Sequence, residues 1–575
     1  MHCCSYQGGQ CTLDDEMVVY GGLCSMLDAK VEPGVVHMQK LATVLLDIVL
    51  STESDLTCQT RWAGVLHRIL KTHGKKIEID IPWKPLYDMV RRQHLCPTGN
   101  YEGAGVMEAR RNAMVHLIHQ SRRFFKLGTA EEMWEHFKPC LGNPHSTDAL
   151  ESVGWLCMMM PTQEALKGEG KWGEWINDWL DVWGCVLHNQ TWDSLWFSLI
   201  ARLAKHDVYG MVDWHALFRQ IGNRFLWAFN VPVGSASASS PFSVSTHSVF
   251  STMFRSELQS RSASVAKALI YSIGRERLMD KATMRLDLDP ALECLETFVD
   301  VFEQYYHPSN GGKWSPGLAM FLRELGFHLS KRLVAEHFMI TRSHNMESGG
   351  ESEEEMSEGD EDEEGSFVGS AEDGVDSSVT DEDVAGGDIG WESDANSKPI
   401  VYGNNPRRPL KPELKQKIVT LIMRLALKGQ SGKDSNMRRY SSMVLSMLAN
   451  IEPQIILPEV HKHFVVALNT VTAAKQYGNA IQTLSLCVRP MLLAGVKAAE
   501  DMGHMDIGER EQGLQCIADA MNATLPGIDA NDPPKSLAVF RLYCCVLSCV
   551  GPLEVRNAII SCIDCIDYLW HFLVS

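Results

Sequence analysis

The chain has 575 residues, 45% hydrophobic and 22% charged, a composition of folded protein and too long for one compact core. No run of 18 or more apolar residues occurs, which excludes an ordinary membrane-spanning helix. The net charge of −19 is local: 20 of the 72 acids lie between Ser343 and Ser397, where no Lys or Arg occurs, and the other 72 − 20 = 52 face 53 bases.

Residues 1–35 are rich in Gly and Cys and weakly patterned, so a poorly ordered start is expected there. From Val36 a helical period sets in, with Leu41, Val44, Leu45, Ile48 and Val49 on one stripe. A second helix is predicted over 61–71. The two prolines of 75–88 break the period, and the alternation Ile77, Ile79, Ile81 suits a short extended connector into a helix over 86–94.

Helices are then predicted at 107–125, 130–141, 148–160, 173–188, 192–206 and 214–229, with Asp213 as N-cap of the last. Seven tryptophans between Trp155 and Trp196 fall at helical spacing, which reads as packing between stacked helices rather than a ligand cage. A Ser-, Ala- and Pro-rich loop is expected over 234–252. Helices resume at 260–273 and 290–306. After Pro308 and the turn Asn310-Gly311-Gly312, Trp314 opens a helix whose stripe is Leu318, Phe321, Leu322, Leu325, Leu329 and Leu333.

The segment 343–400 is expected to be a disordered acidic insert, because so polar and charged a stretch cannot bury enough surface to fold. It is either a solvated loop or a flexible polyanion that attracts basic partners. Ser352, Ser357 and Thr380 precede acids and are candidate phosphorylation sites. Helices return at 411–426, 435–449, 458–468, 479–491, 505–521, 535–550 and 553–572. The chain thus divides into a weakly ordered start (1–35), N-terminal helical repeats (36–342), the acidic insert (343–400) and further helical repeats (401–575). Helix pairs about 40 residues apart, each unable to bury its stripe alone, point to an all-α HEAT/armadillo-like solenoid.

Motifs for chemistry are weak. Gly429–Asp434 lacks the spacing and the hydroxyl residue of a phosphate-binding loop, and neither HExxH nor G-x-S-x-G occurs, so no catalytic residue and no enzymatic activity is predicted. Cys562 and Cys565 form a C-x-x-C near Cys544, Cys545, Cys549 and His571, but in an apolar run that suits buried thiols better than zinc. His116 and His119 lack a completing ligand, so no metal site is assigned. Arg407, Arg408, Lys411, Lys415 and Lys417 make a short basic patch, read as a solvated helix start in preference to a weak nuclear signal or an anion contact. Seventeen cysteines behind an N-terminus without a basic start or apolar core suit a reducing cytosolic or nuclear compartment.

Four strings go further than periodicity. Ile81-Pro82-Trp83-Lys84-Pro85-Leu86-Tyr87-Asp88-Met89-Val90, Asn230-Val231-Pro232-Val233-Gly234-Ser235, Tyr306-His307-Pro308-Ser309-Asn310-Gly311-Gly312-Lys313-Trp314 and Leu525-Pro526-Gly527-Ile528-Asp529-Ala530-Asn531-Asp532 resemble, in order and at about the same spacing, the N-terminal part of the large single-chain proteasome activator family. Asp213-Trp214 and Thr129-Ala130-Glu131-Glu132-Met133 add to the resemblance.

The resemblance implies a HEAT-repeat dome that caps the α-ring of the core proteasome and opens its gate without ATP or ubiquitin. It further implies degradation of peptides and acetylated histones, a role in DNA repair, a location in nucleus and cytoplasm, and contacts to inositol phosphates at positions that cannot be matched here. No direct nucleic-acid or membrane partner is implied. The family's docking tail and its acetyl-lysine-reading region have no counterpart in the sequence, so no docking or reader residue is carried over. The alternative is a HEAT adaptor that carries basic proteins by means of its acidic insert.

Overall fold

The computed structural model describes residues 13–29, 33–51, 55–74, 76–94, 104–168, 170–186, 189–207, 210–227, 229, 258–274, 289–306, 314–347, 410–469, 474–501, 517, 519–528 and 532–549. Among these, the regular structure is helical and no strand occurs. The helices are α1 (Leu13–Asp28), α2 (Val35–Leu50), α3 (Leu56–His73), α4 (Trp83–Met89), α5 (Ala104–Ser121) and α6 (Thr129–Phe137). Next come α7 (Thr147–Met159), α8 (Trp172–Gly184), α9 (Gln190–His206), α10 (Trp214–Trp227), α11 (Leu258–Ser272), α12 (Pro290–Phe302) and α13 (Ser315–Glu347). The last are α14 (Pro412–Gly429), α15 (Ser435–Ile451), α16 (Pro453–Asn469), α17 (Ala474–Asp501) and α18 (Pro533–Cys549).

Asp and Asn side chains start several of these helices by accepting from first-turn amides. Asp55 takes the Thr57 amide, Asn189 that of Trp192, Asp213 that of Ala216 and Asp434 that of Asn436. Asp289 does more. It takes the amides of Ala291 and Leu292 at the start of α12, and that of Gly274 just after α11. Gly274 has φ +72°, which a residue with a Cβ adopts only under strain.

The helices stack in two rows. One row runs α3, α5, α7, α9, α11, α13, α15, α17, α18, each packed on the next. In the other, α10 packs on α12, α12 on α14 and α14 on α16. Each helix meets only near neighbours, so one apolar core runs lengthwise between the rows, as a HEAT-type solenoid requires. The expected stripe of α13 lies in it: Leu318, Phe321, Leu322, Leu325 and Leu329 are all fully buried.

The rows continue across the acidic segment. The helix before it, α13, packs on both α14 and α15, and α12 packs on α14. At the seam Arg332 and Glu336 form a buried ion pair at 2.8 Å, with 2% and 4% of their side chains exposed. Arg332 Nη1 also donates to the carbonyls of Ile270 and Ile273 at 2.5 and 2.8 Å. Glu336 accepts the Leu410 amide at 2.9 Å, so the residue where the chain re-enters the described fold closes the network. Deleting 348–400 is therefore expected to leave helix content and thermal midpoint nearly unchanged, since the described contacts already join the two sides directly. Circular dichroism and a melt of the deletion variant check this.

Several expectations are corrected. Residues 13–28 are a helix, not a weakly ordered start: Tyr20, Leu23, Cys24 and Leu27 pack on the core, and the Tyr20 ring meets Trp62 edge-on at 5.8 Å. Helix α13 runs to Glu347, past the 343 boundary set for the insert. Pro458 lies inside α16, which begins at Pro453 rather than at the expected 458, and α17 runs from Ala474 to Asp501, beyond both ends of the expected 479–491. Residues 90–94 form a π-helical turn after α4. Residues 77–82 are non-helical as predicted, with Ile77 and Ile81 buried. The expected loop 234–252, the helix at 553–572 and the insert from 348 onward lie outside the described residues.

Candidate functional site

The motif candidates resolve into packing. Gly429–Asp434 is a turn between α14 and α15, with Asp434 capping α15 and Arg438 donating to the carbonyls of Gly432 and Lys433. A Cβ on Gly429 would stand 2.2 Å from Ser441 Oγ, so this glycine marks close helix approach rather than a phosphate cradle. In the basic patch Lys415 pairs with Glu452 and Lys417 with Glu296, each at 2.6 Å, while Arg407 and Arg408 lie outside the described residues. So do Cys562, Cys565 and His571, and with them Ser352, Ser357 and Thr380. Cys544 and Cys549 on α18 are exposed and Cys545 is half-buried, its thiol pushed up by burial. Among the described residues no group of three His, Cys, Asp or Glu is placed to hold a metal ion, and no helix is long and apolar enough to cross a membrane.

The tryptophans are core, as their spacing suggested. Trp172, Trp179, Trp183, Trp192 and Trp196 are fully buried and pair by edges, tilts and one stack at 6.1 to 6.5 Å. Polar anchors fix the cluster: Trp183 Nε1 donates to Asp193 at 2.6 Å, Arg224 pairs with the same carboxylate at 3.0 Å, and the Arg224 guanidinium lies 5.4 Å from the Trp183 ring centre. Asp207, fully buried, accepts from the amides of Met211 and Val212 and from Trp214 Nε1 at 2.8 to 3.1 Å. Helical spacing predicts the row but not these carboxylates, which are held by indole N–H groups, by Arg224 and, for Asp207, by loop amides.

His116 stacks on His67 at 5.3 Å between α5 and α3, not on His119. Burial pushes His67 down to about 4, with His116, Lys71 and Arg68 adding, and burial with Lys71 lowers His116. An imidazole held below its ordinary 6.5 contributes stability that is complete above pH 6.5 and lost as pH falls toward 4. The thermal midpoint is expected to drop across that window, and to drop less in His67→Gln. Melts between pH 7 and 4 read it.

His119 lines a polar cavity of about 10 Å³ with Arg122, Arg123, Thr162 and His206, where Thr162 Oγ1 and His206 Nδ1 are 2.6 Å apart. It has room for one water, not for a substrate. A second cavity, of about 280 Å³, lies beside Pro33, Met38, His73, Lys76 and Ile77.

The strings that carry the family resemblance mark contacts between repeats. Trp83 Nε1 of the first string donates to Glu132 of Thr129–Met133 at 3.0 Å, and the Tyr87 ring meets Trp155 edge-on at 5.0 Å. Tyr306 Oη donates to the Leu318 carbonyl, and Tyr477 Oη to the Thr524 carbonyl just before the Leu525–Gly527 turn. A Cβ on Gly527 would stand 2.3 Å from that phenol oxygen. Gly527→Ala is thus expected to push Tyr477 out of place and cost roughly 1–3 kcal/mol, measured by denaturant melting. Asn230–Ser235 and His307–Lys313 lie outside the described residues.

The comparisons agree with these strings. Residues 392–555 match the family model of the mid HEAT-repeat region of proteasome activator complex subunit 4. Over 529 residues, 92% of the chain, it is 28% identical to proteasome activator subunit 4 of Arabidopsis thaliana and covers 25% of it. The Homo sapiens and Danio rerio (4A) proteasome activator complex subunits are 20% and 21% identical over 89% and 90% of the chain, and 23% of each is covered. The chain therefore spans about a quarter of the length of these relatives. By its two-row helical stack, by the strings and by these matches, the chain is similar along about nine tenths of its length to the HEAT-repeat proteasome activator subunit 4 proteins.

Proposed function

We propose that this chain is part of a non-catalytic activator that caps the α-ring of the core proteasome and opens its gate without ATP or ubiquitin. The observation that carries the reading is similarity along some nine tenths of the chain to proteins named proteasome activator subunit 4. A solenoid suits the role because it offers a long surface at little folding cost per repeat. Peptides and acetylated histones are the proposed substrates, nucleus and cytoplasm the proposed locations, and inositol phosphates proposed ligands of the complete assembly.

Cross-linking of the chain to purified core proteasomes tests the reading. Cross-links from α-subunits to the solenoid, above those of an unrelated helical protein, are expected; none at saturating chain would contradict it. Peptidase stimulation is a separate matter. A chain covering a quarter of its relatives offers a one-sided contact, so little or no stimulation is expected, and strong stimulation would place the gate-opening surface within this quarter.

A further inference from the structure

The seam between α11–α13 and α14–α15 has the makings of an interface between two molecules. It has an apolar centre: Leu410 and Leu414 lie 3.1 and 3.3 Å from where a Gly274 Cβ would stand, and Val444 lies 3.1 Å from that of Gly326. Around this centre runs a charged rim. Arg424 pairs with Asp300 and Glu303, Lys428 with Glu303, and Lys417 with Glu296. The Arg332–Glu336 pair adds a directional lock on the Leu410 amide. Among the described residues the two sides are joined directly, Glu336 accepting the Leu410 amide and Ser315 bonding Asp434 at 3.0 Å.

We infer that the two sides of this seam recognise each other without the covalent connection, so that the protein persists as a tight two-chain complex after cleavage anywhere within 348–409. The partner of the α11–α13 face is thus a defined one, the α14–α15 face of this chain. A covalent connection raises the effective concentration at which the faces meet, and a complementary contact of this kind outlives its loss. Both contributions are visible in the residues: the buried lock supplies specificity, and the rim supplies charge complementarity, acid on α12 against base on α14.

The test uses the full-length protein with a site-specific protease sequence inserted between residues 365 and 370. After cleavage under native conditions the two pieces are expected to co-elute at micromolar concentration and to separate in denaturant. Two peaks under native conditions would overturn the inference, and so would resistance of the inserted site to cleavage, which would show that the connection is engaged with the fold. A second variant tests the surface itself. Arg424→Glu with Lys428→Glu alters two exposed side chains, so the intact chain is expected to elute as before, while the cleaved pair should dissociate at concentrations about tenfold higher than the cleaved parent. An unchanged dissociation concentration would mean that the pieces meet elsewhere.

Discussion

Glu336→Ala is expected to destabilise the chain by about 3–5 kcal/mol, a loss that follows from leaving Arg332 charged and buried. Only 2% of the Arg332 side chain is exposed, and without Glu336 its guanidinium keeps just the carbonyls of Ile270 and Ile273. The Leu410 amide loses its acceptor at the same time, which adds the cost of an unsatisfied buried donor. The double replacement Arg332→Met with Glu336→Leu should recover the part of the loss due to the uncompensated charge, while the Leu410 amide and the Ile270 and Ile273 carbonyls stay without their partners. Thermal and denaturant melts of the single and double variants measure both. A single variant as stable as the parent would mean that the charge is solvated and the seam looser than described.

Asp207→Ala is expected to cost about 3 kcal/mol, since it strands two buried donors and a half-buried one, a buried donor carrying a penalty of roughly 1–3 kcal/mol. The carboxylate holds the turn between α9 and α10 by the Met211 and Val212 amides and pins the Trp214 indole. Asp207→Asn keeps one acceptor oxygen and should lose less. Because Trp214 sits beside the aromatic row, its emission is a local reporter: a red shift in the alanine variant before global unfolding would show that the turn opens first. No change in stability would contradict the hydrogen-bond pattern.

Helix positions were legible because a stacked repeat repeats its stripe: Leu318 to Leu329 on α13 and the tryptophans of α8 and α9 are both spaced and buried as a helix-packing pattern demands. What local pattern missed is tertiary. The stripe Tyr20, Leu23, Cys24, Leu27 was present in α1 but diluted by Gly21 and Gly22 and by the exposed Val18 and Val19. Pro458 reads as a helix start, yet it sits one turn into α16, where few intrahelical amides are lost. His116 and His119, three residues apart on one helix face, are drawn to different neighbours, His67 and the small polar cavity.

The interrupted seam is the clearest case. Composition marks where the acidic segment lies. Nothing in it says that Arg332, Glu336 and Leu410 form one network, because residues that far apart in sequence carry no local signal. The functional reading has the same character. No chemistry-bearing motif supports it, and the strings that do are packing contacts such as Trp83 with Glu132.

The central claim is that one solenoid runs unbroken past 348–409. Zero-length carbodiimide coupling of the native protein tests it directly, since this reagent joins only lysines and carboxylates already in contact. Lys417–Glu296 at 2.6 Å and Lys428–Glu303 bridge the two sides, with all four side chains reachable from solvent. Lys415–Glu452 at 2.6 Å lies within one side and serves as the internal standard. The expected result is peptides coupling 417 to 296 and 428 to 303 alongside 415 to 452. Recovery of the 415–452 peptide without either of the other two would contradict a continuous solenoid.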